Sequence, residues 1–300
     1  MDQNRLTKMV IDQQIVLLEF LKNTICGDFA ICNKISYGSN EKTSLYSPAF
    51  LGLIGSILSQ IPINHIKPVI STILNKLHIT PNEFGIYNFL GDRSYFDDID
   101  TTVLINNFIL DREINNEFIK NIDSVLDSLQ TPDNGYLTWI RKPSNNLDWV
   151  VNLNVFIYLK QIKSLKSRDL YLFLKNRICQ YLEFGSKYYP DNNLPLFFLL
   201  FYYNKNILSE TEFNDLSIIK SIDNPQNSNL NILSLCTEIL LKIDSPYLNL
   251  EKIIQIIGDQ WRIEIRYTSS STSYYVSEVL NAAVALYLLT QIKSLINEKK

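Results

Sequence analysis

Glycine, cysteine and histidine are all scarce in this 300-residue chain, which has 9 Gly, 4 Cys and 2 His. All-β sandwiches need many turn glycines, so the shortage of glycine favours helices. The cysteines have no paired spacing, which excludes a disulfide framework and favours a reduced, cytoplasmic setting. His65 and His78 lie in early predicted helices, and the spacing of Cys26 and Cys32 is not that of a zinc site. We therefore expect no metal bound directly by protein ligands.

An excess of basic charge and long hydrophobic runs are also missing. The formal net charge of −3 gives no basic field for nucleic acid. The longest apolar run, Leu194–Tyr203, is about half as long as a bilayer span and predicts a buried helix instead. Asp2, Asp12 and Glu19 interrupt the apolar pattern of the first segment, which a secretory signal would not tolerate. We expect neither nucleic-acid binding nor a transmembrane segment.

What the chain has in abundance is apolar residues at helical spacing. Hydrophobic residues make up 46% of the sequence, which excludes a disordered protein. About a dozen helices are predicted, and amphipathic segments such as Asn115–Leu129 alternate with segments that are apolar nearly all round. The apolar segments are Pro48–Leu58, Thr101–Leu110, Trp149–Leu159, Leu194–Tyr203, Leu230–Leu241 and Val276–Leu289. They recur every roughly 40 to 50 residues, which indicates a repeated helix pair.

This repeat predicts an all-α fold, an (α/α)6 toroid of about six helix pairs. We expect a single domain, residues 1–300, with short flexible tails at both ends. An open solenoid is the alternative, but it would need polar capping repeats, and the last inner segment is apolar. If the inner helices run parallel, their starts ring one mouth of the barrel. The cap-type residues there, which would cap helices or line a polar mouth, are Ser47, Asp100, Asp148, Asp191, Ser228 and Ser277.

Three carboxylates, Asp97, Asp98 and Asp100, cluster directly before the second buried segment. Packed like charges oppose full ionisation, so at least one pKa should rise. A carboxylic acid held protonated beside an ionised one is a proton donor. The same cluster would also suit Mg²⁺ binding or simple helix capping.

The stretch Asp98-Ile99-Asp100-Thr101-Thr102 resembles the acidic motif of class II terpene cyclases, in the DxDTT form of drimenyl-diphosphate-synthase-like enzymes. The resemblance implies that Asp100 is the general acid and that Asp98 supports it. Thr101 stands where the DxDD form of the family has its last carboxylate. Thr102 matches the threonine of the motif.

Other stretches resemble the same family of barrels. Gln130, Gly135 and Trp139 are similar to the QW repeat of squalene cyclases and prenyltransferases, with slightly long spacing. The residues from Asp148 to Leu159 look like an inner-helix pattern of small single-barrel members. The Tyr-Tyr-Pro at 188–190 and the Tyr-Tyr-Val-Ser-Glu at 274–278 fit the same series. The resemblance covers about two thirds of the chain, in the order of the repeat.

The resemblance implies protonation-initiated cyclisation of a C15 or C20 prenyl diphosphate or a related polyene, an isomerase or lyase activity in terpenoid biosynthesis. Aromatic faces would stabilise the carbocation. Arginine forks would hold the diphosphate, with Mg²⁺ bridging it as a cofactor. The expected substrate-binding residues are Arg93, Arg141, Trp139, Asp148, Trp149, Asn152, Phe197, Tyr274 and Tyr275.

The size of the chain leaves alternatives open. Well-known class II cyclases place the active site between two barrels, whereas this chain has material for one. A homodimer, a partner protein or a cavity inside the single barrel would then be needed. The competing hypotheses are a non-catalytic toroid that binds a prenyl lipid or a partner protein, and an (α/α)6 glycan hydrolase or lyase.

Overall fold

The fold is known from a computed structural model, which is mostly helical. It describes residues 3–27, 30–39, 41–78, 81–82, 85–92, 95–112, 119–140, 142, 145–191, 193–218, 240, 250–262, 267–269 and 273–298. The described α-helices, numbered in chain order, are α1 (Gln3–Cys26), α2 (Pro48–Ser59), α3 (Lys67–His78), α4 (Ile99–Asp111), α5 (Ile119–Leu129), α6 (Trp149–Gln161), α7 (Lys166–Phe184), α8 (Asn193–Asn204), α9 (Glu210–Leu216), α10 (Leu250–Gln260) and α11 (Glu278–Glu298).

Five of these helices, α2, α4, α6, α8 and α11, are buried along most of their length and form an inner layer. Helix α11 packs on α2, α2 on α4, α4 on α6, and α6 on α8. The amphipathic helices lie outside them, as α7 does on α6 and α1 on α11. The predicted inner segments are therefore confirmed at five positions, because a helix that is apolar all round must be covered on all sides.

The sixth predicted inner segment, Leu230–Leu241, lies outside the described residues apart from Leu240. Closure of the inner layer into a complete toroid therefore stays a prediction. The same holds for the single domain over residues 1–300, whose outermost residues also lie outside the described part.

Helix α11 is long and apolar enough to cross a membrane by length and composition. In the structure, however, 78% of its most apolar window is buried inside the protein. This is the pattern of a core helix that is covered by its neighbours, here α1 and α2.

The helix starts correct part of the predicted ring of caps. Helix α4 begins two residues earlier than expected, so its cap is Asp98, whose Oδ1 accepts from the backbone N–H of Thr101 at 2.6 Å. The expectation that Asp100 caps this helix is wrong, because Asp100 lies in the first turn. Asp148 does cap α6, accepting from the backbone N–H groups of Val150 and Val151 at 2.9 and 3.2 Å.

Of the remaining predicted caps, two accept hydrogen bonds from backbone N–H groups at helix starts and one does not. Ser47 precedes α2, but its hydroxyl donates to the Phe89 carbonyl at 2.7 Å instead of accepting from the helix. Asp191 accepts from the backbone N–H of Asn193 at 2.9 Å, and Ser277 accepts from that of Leu280 at 3.0 Å. Ser228 lies outside the described residues.

A small antiparallel sheet corrects the all-α expectation. Its strands are β1 (Cys32–Ser36), β2 (Lys42–Leu45), β3 (Thr268–Ser269) and β4 (Ser273–Val276), in the order β2-β1-β4-β3. Strand β1 pairs with β4 from the opposite end of the chain, and these strands are too short for a reliable alternation signal. The sheet joins the α1–α2 connection to the α10–α11 connection and places Tyr275 near the N-terminal ends of the inner helices.

Candidate active site

An apolar cavity with about 730 Å³ of empty space, partly open to solvent, lies at the N-terminal ends of the inner helices. Its wall comes from the first two turns of four of these helices, completed by loop residues and by β4. The helical lining residues are Ala49, Phe50, Leu53, Asp100, Thr101, Leu104, Val151, Leu194 and Phe198. The cavity lies within this one chain, which is one of the arrangements that the sequence left open.

Asp98 lies at the cavity wall with only 4% of its surface exposed. Its two oxygens accept hydrogen bonds from the Thr101 backbone N–H at 2.6 Å and from the Thr101 hydroxyl at 3.0 Å. Burial, together with the charge of Asp100, raises the pKa of Asp98 to about 8. Thr102 makes a different contact, since its hydroxyl donates to the Asp98 carbonyl at 2.7 Å and thereby closes the first turn of α4.

Asp100 is half-buried, and the surface it exposes faces the cavity. Asn154 of α6 donates to its Oδ1 at 2.8 Å, and the Tyr189 hydroxyl donates to its Oδ2. Burial raises the pKa of Asp100 to about 6, against the opposing effect of these two donors. Around neutral pH the two carboxyl groups therefore hold about one proton between them.

Asp97, the third member of the acidic cluster, does not line the cavity. Its oxygens accept from the amides of Asn82 and Asn88 at 2.7 and 3.5 Å. Its backbone carbonyl accepts from Ile140 N–H at 2.9 Å, which ties the acidic segment to the QW-like stretch. Asp97 thus holds the loop in place, which leaves Asp98 and Asp100 as the carboxyl groups of the cavity.

Aromatic rings form much of the cavity wall. The Trp139 ring lies edge-on to those of Tyr95 and Tyr188, with centroids 6.0 and 5.8 Å apart, and its indole N–H donates to the Tyr188 hydroxyl at 2.7 Å. On the other side, Phe89 packs edge-on against Tyr275 at 4.8 Å. The remaining aromatic lining residues are Phe50, Tyr189, Phe198 and Tyr267. Such a wall can hold a hydrophobic chain and can stabilise a passing cation.

Trp139 and Tyr275 are the predicted substrate-binding residues that the structure brings to the cavity, and the predicted catalytic residues Asp98, Asp100 and Thr101 lie there too. Thr102 is buried just behind them, within the first turn of α4.

Several other predicted substrate-binding residues lie away from the cavity. Asp148 is occupied as the α6 cap and also accepts from the Ser186 hydroxyl. Trp149 is buried between α6 and α7, where its ring stacks on Tyr181 and its indole N–H donates to the Leu174 carbonyl.

Three more predicted substrate-binding residues, Asn152, Phe197 and Tyr274, also lie away from the cavity. Asn152 bonds the backbone N–H and carbonyl of Tyr136, at 2.7 and 3.0 Å, which satisfies backbone groups between elements. Phe197 is buried against Phe201 in the core, and Tyr274 packs near Tyr37 on the opposite face of β4 from Tyr275. Arg93 and Arg141 lie outside the described residues.

Tyr189 and Asn154 are the site residues to which sequence reasoning assigned no part in the acid chemistry. Tyr189 is 89 positions from Asp100, so no local pattern connects them. The available signal was a Tyr-Tyr pair before the proline that precedes an inner helix. For Asn154 it was an amide in an otherwise apolar segment, since buried amides need hydrogen-bond partners.

A magnesium ion held by protein side chains alone needs several carboxylates in one place. The described residues contain no group of three His, Cys, Asp or Glu side chains placed to hold a metal. The carboxyl oxygens of Asp98 and Asp100 already accept hydrogen bonds from threonine, asparagine and tyrosine.

Comparisons with known proteins show similarity in structure only, since no family model and no curated protein matches the chain. The fold is similar to that of type II terpene cyclase MstE from Scytonema. For a variant in complex with geranylgeranyl dihydroxybenzoate, described as substrate, the TM-score is 0.70 at 10% identity, over 97% of this chain and 99% of that one. For a variant in complex with merosterolic acid A, described as product, it is 0.61 at 9% identity over the same shares.

A protein from Actinoplanes has a TM-score of 0.62 at 9% identity, covering 98% of this chain and all of that one. Identities this low show the fold alone. The chain therefore has a class II terpene-cyclase-like fold.

Proposed function

We propose that the protein is a class II terpene-cyclase-like enzyme that cyclises a polyprenyl chain by protonating one of its double bonds. The observation that carries this proposal is the placement of the carboxyl pair Asp98–Asp100 at the wall of an apolar, aromatic-lined cavity, where burial raises the pKa of both groups. An alkene is a very weak base, so its protonation needs a strong, well-aimed acid that is kept away from water. The similarity in fold to MstE supports the same reaction class.

Asp100 is the proton donor in this proposal because it is the accessible member of the pair. Asp98 is almost wholly buried, and both of its oxygens bind Thr101. Asp100 faces the cavity, where a substrate carbon can approach it. Asp98 supports the pair by keeping a proton close to Asp100.

Substrate binding would load the proton onto Asp100. A hydrocarbon chain in the cavity displaces water, and desolvation disfavours a carboxylate more than a neutral acid. The pKa of Asp100, already raised to about 6, would rise further as the chain enters. The acid thus becomes protonated when an alkene is present to accept the proton.

The chemistry balances as an isomerisation. The Asp100 proton adds to a terminal alkene carbon, and Asp100 is left as a carboxylate. Successive double bonds donate their π electrons to the cation and close the rings. The last cation loses a proton to water or a base, so the product is an isomer of the substrate. The rings of Phe50, Phe89 and Tyr275 supply electron-rich faces along the wall.

The substrate is a C15 or C20 prenyl diphosphate or a related polyene. The name of the MstE substrate supports a geranylgeranyl chain joined to an aromatic acid as an equal candidate. The Mg²⁺ expected as cofactor would act through the substrate diphosphate.

The test is incubation of the purified protein with farnesyl diphosphate, geranylgeranyl diphosphate (both with Mg²⁺) and geranylgeranyl dihydroxybenzoate, with products identified by mass spectrometry. We expect one cyclised isomer, lost in Asp100→Asn and retained in the matched variant Asp97→Asn. A cyclised product that persists in Asp100→Asn would refute Asp100 as the acid. Binding of these lipids without turnover would favour the non-catalytic prenyl-lipid toroid.

A further inference from the structure

The cavity ends abruptly at the second turn of the inner helices. Its deepest lining residues are Leu53 of α2, Leu104 of α4 and Phe198 of α8, which we call the cavity floor. None of the lining residues comes from the third turn of these helices. Within the described residues, the apolar space is thus shallow along the barrel axis.

A polar layer lies directly beneath this floor. Ser56, Asn107 and Tyr202 stand three or four residues after the three floor residues, so each lies one helical turn deeper on the same face. Tyr202 is completely buried beside Ser56 and Asn107.

Two further interactions close the polar layer. Gln161 at the end of α6 donates to Asn107 Oδ1 at 2.7 Å. Lys205, just after α8, forms an ion pair with Asp111 of α4, and their side chains are only 10% and 3% exposed. The Gln161–Asn107 hydrogen bond and the Lys205–Asp111 ion pair resist insertion of a hydrocarbon, because separating either pair leaves buried polar groups unpaired.

From this arrangement we propose that Phe198 determines the chain length of the substrate. Its ring is the largest part of the floor, and it packs edge-on against Tyr189 at 6.3 Å. Because Tyr189 binds Asp100, the floor lies at a defined depth below the acid. A chain held at Asp100 can occupy only the space above Phe198. This inference rests on the proposed function and extends it to substrate selection.

Replacing Phe198 with alanine removes a phenyl ring, which has about the bulk of one isoprene unit. We expect Phe198→Ala to raise the ratio of kcat/KM for geranylgeranyl over farnesyl substrates, with the same head group, by about tenfold or more. The matched control is Phe197→Ala, which removes the same ring from the same helix but from a core position outside the cavity. An unchanged ratio in Phe198→Ala, with cyclisation intact, would overturn the proposal. Phe198→Leu, which opens a smaller space, serves if the alanine variant does not fold.

A binding measurement separates this inference from the proposed function. In the Asp100→Asn background, the Kd values of farnesol and geranylgeraniol are measured with and without Phe198→Ala. If Phe198→Ala shifts the relative affinity towards geranylgeraniol, the result supports Phe198 as the residue that limits chain length, whether or not any chain is cyclised. An unchanged affinity ratio refutes this role of Phe198, even if the wild-type protein proves to be a cyclase.

Discussion

The hydroxyl of Tyr189 is expected to set the pH at which the protein loses its catalytic acid. It donates to Asp100 Oδ2, and Asn154 donates to Oδ1. Both donors stabilise the carboxylate and so hold the pKa of Asp100 at about 6 against the effect of burial. Cyclisation needs the protonated acid, so the wild-type kcat/KM, which reports the pKa of the free enzyme, should fall as the pH rises through about 6.

Tyr189→Phe removes one of these donors and keeps the ring. A hydrogen bond to a charged group is worth about 1.5–3 kcal/mol, which corresponds to a pKa shift of about one to two units. The loss of rate at high pH should therefore move up to about pH 7 or above. The plateau at low pH should fall, because a carboxylic acid with a higher pKa is a weaker proton donor.

The assay is the pH dependence of kcat/KM for the cyclised product. Tyr188→Phe is the matched control, because its hydroxyl bonds Trp139 and Asn146 instead of Asp100. An infrared carboxyl band that disappears in Asp100→Asn would report the same pKa without turnover. If the band and the rate profile of Tyr189→Phe both titrate as in the wild type, the reasoning is refuted.

Three further predictions concern stability. Asp98→Asn should raise the melting temperature by about 4 °C at pH 8 and much less at pH 5, while cyclisation falls. The reason is that an acid whose folded-state pKa is raised, here to about 8, makes the folded protein less stable as the pH rises towards that value, whereas asparagine does not ionise; an equal rise in melting temperature at pH 5 and pH 8 would contradict this. Gly52→Ala should destabilise the protein by about 1–3 kcal/mol in urea unfolding, since its Cβ would lie 2.9 Å from a side-chain carbon of α4; an unchanged midpoint would contradict this close packing. Lys205→Met should cost about 3–5 kcal/mol because it leaves the Asp111 carboxylate buried and unpaired, and adding Asp111→Asn should recover part of that loss.

The helical framework was predictable from the sequence because helix burial is encoded locally. Segments such as Trp149–Leu159 have no polar face, and only an inner position can cover them on all sides. The acidic motif was equally visible, since packed carboxylates before a buried helix must perturb one another. The class II terpene-cyclase-like fold was indicated by the resemblance of the Asp98–Thr102 motif and the QW-like stretch to that family, not by periodicity or charge alone.

Contacts between distant parts of the chain decided the partners of Asp100, the pairing of the sheet and the lining of the cavity. Tyr189 and Asn154 reach Asp100 from other elements, and the β1–β4 pairing joins opposite ends of the chain. Periodicity reports that a residue is buried but not which neighbour it meets, so Phe197 and Phe198 look alike in sequence. The tertiary structure places Phe197 in the core and Phe198 at the cavity floor, because adjacent residues on a helix point in directions about 100° apart.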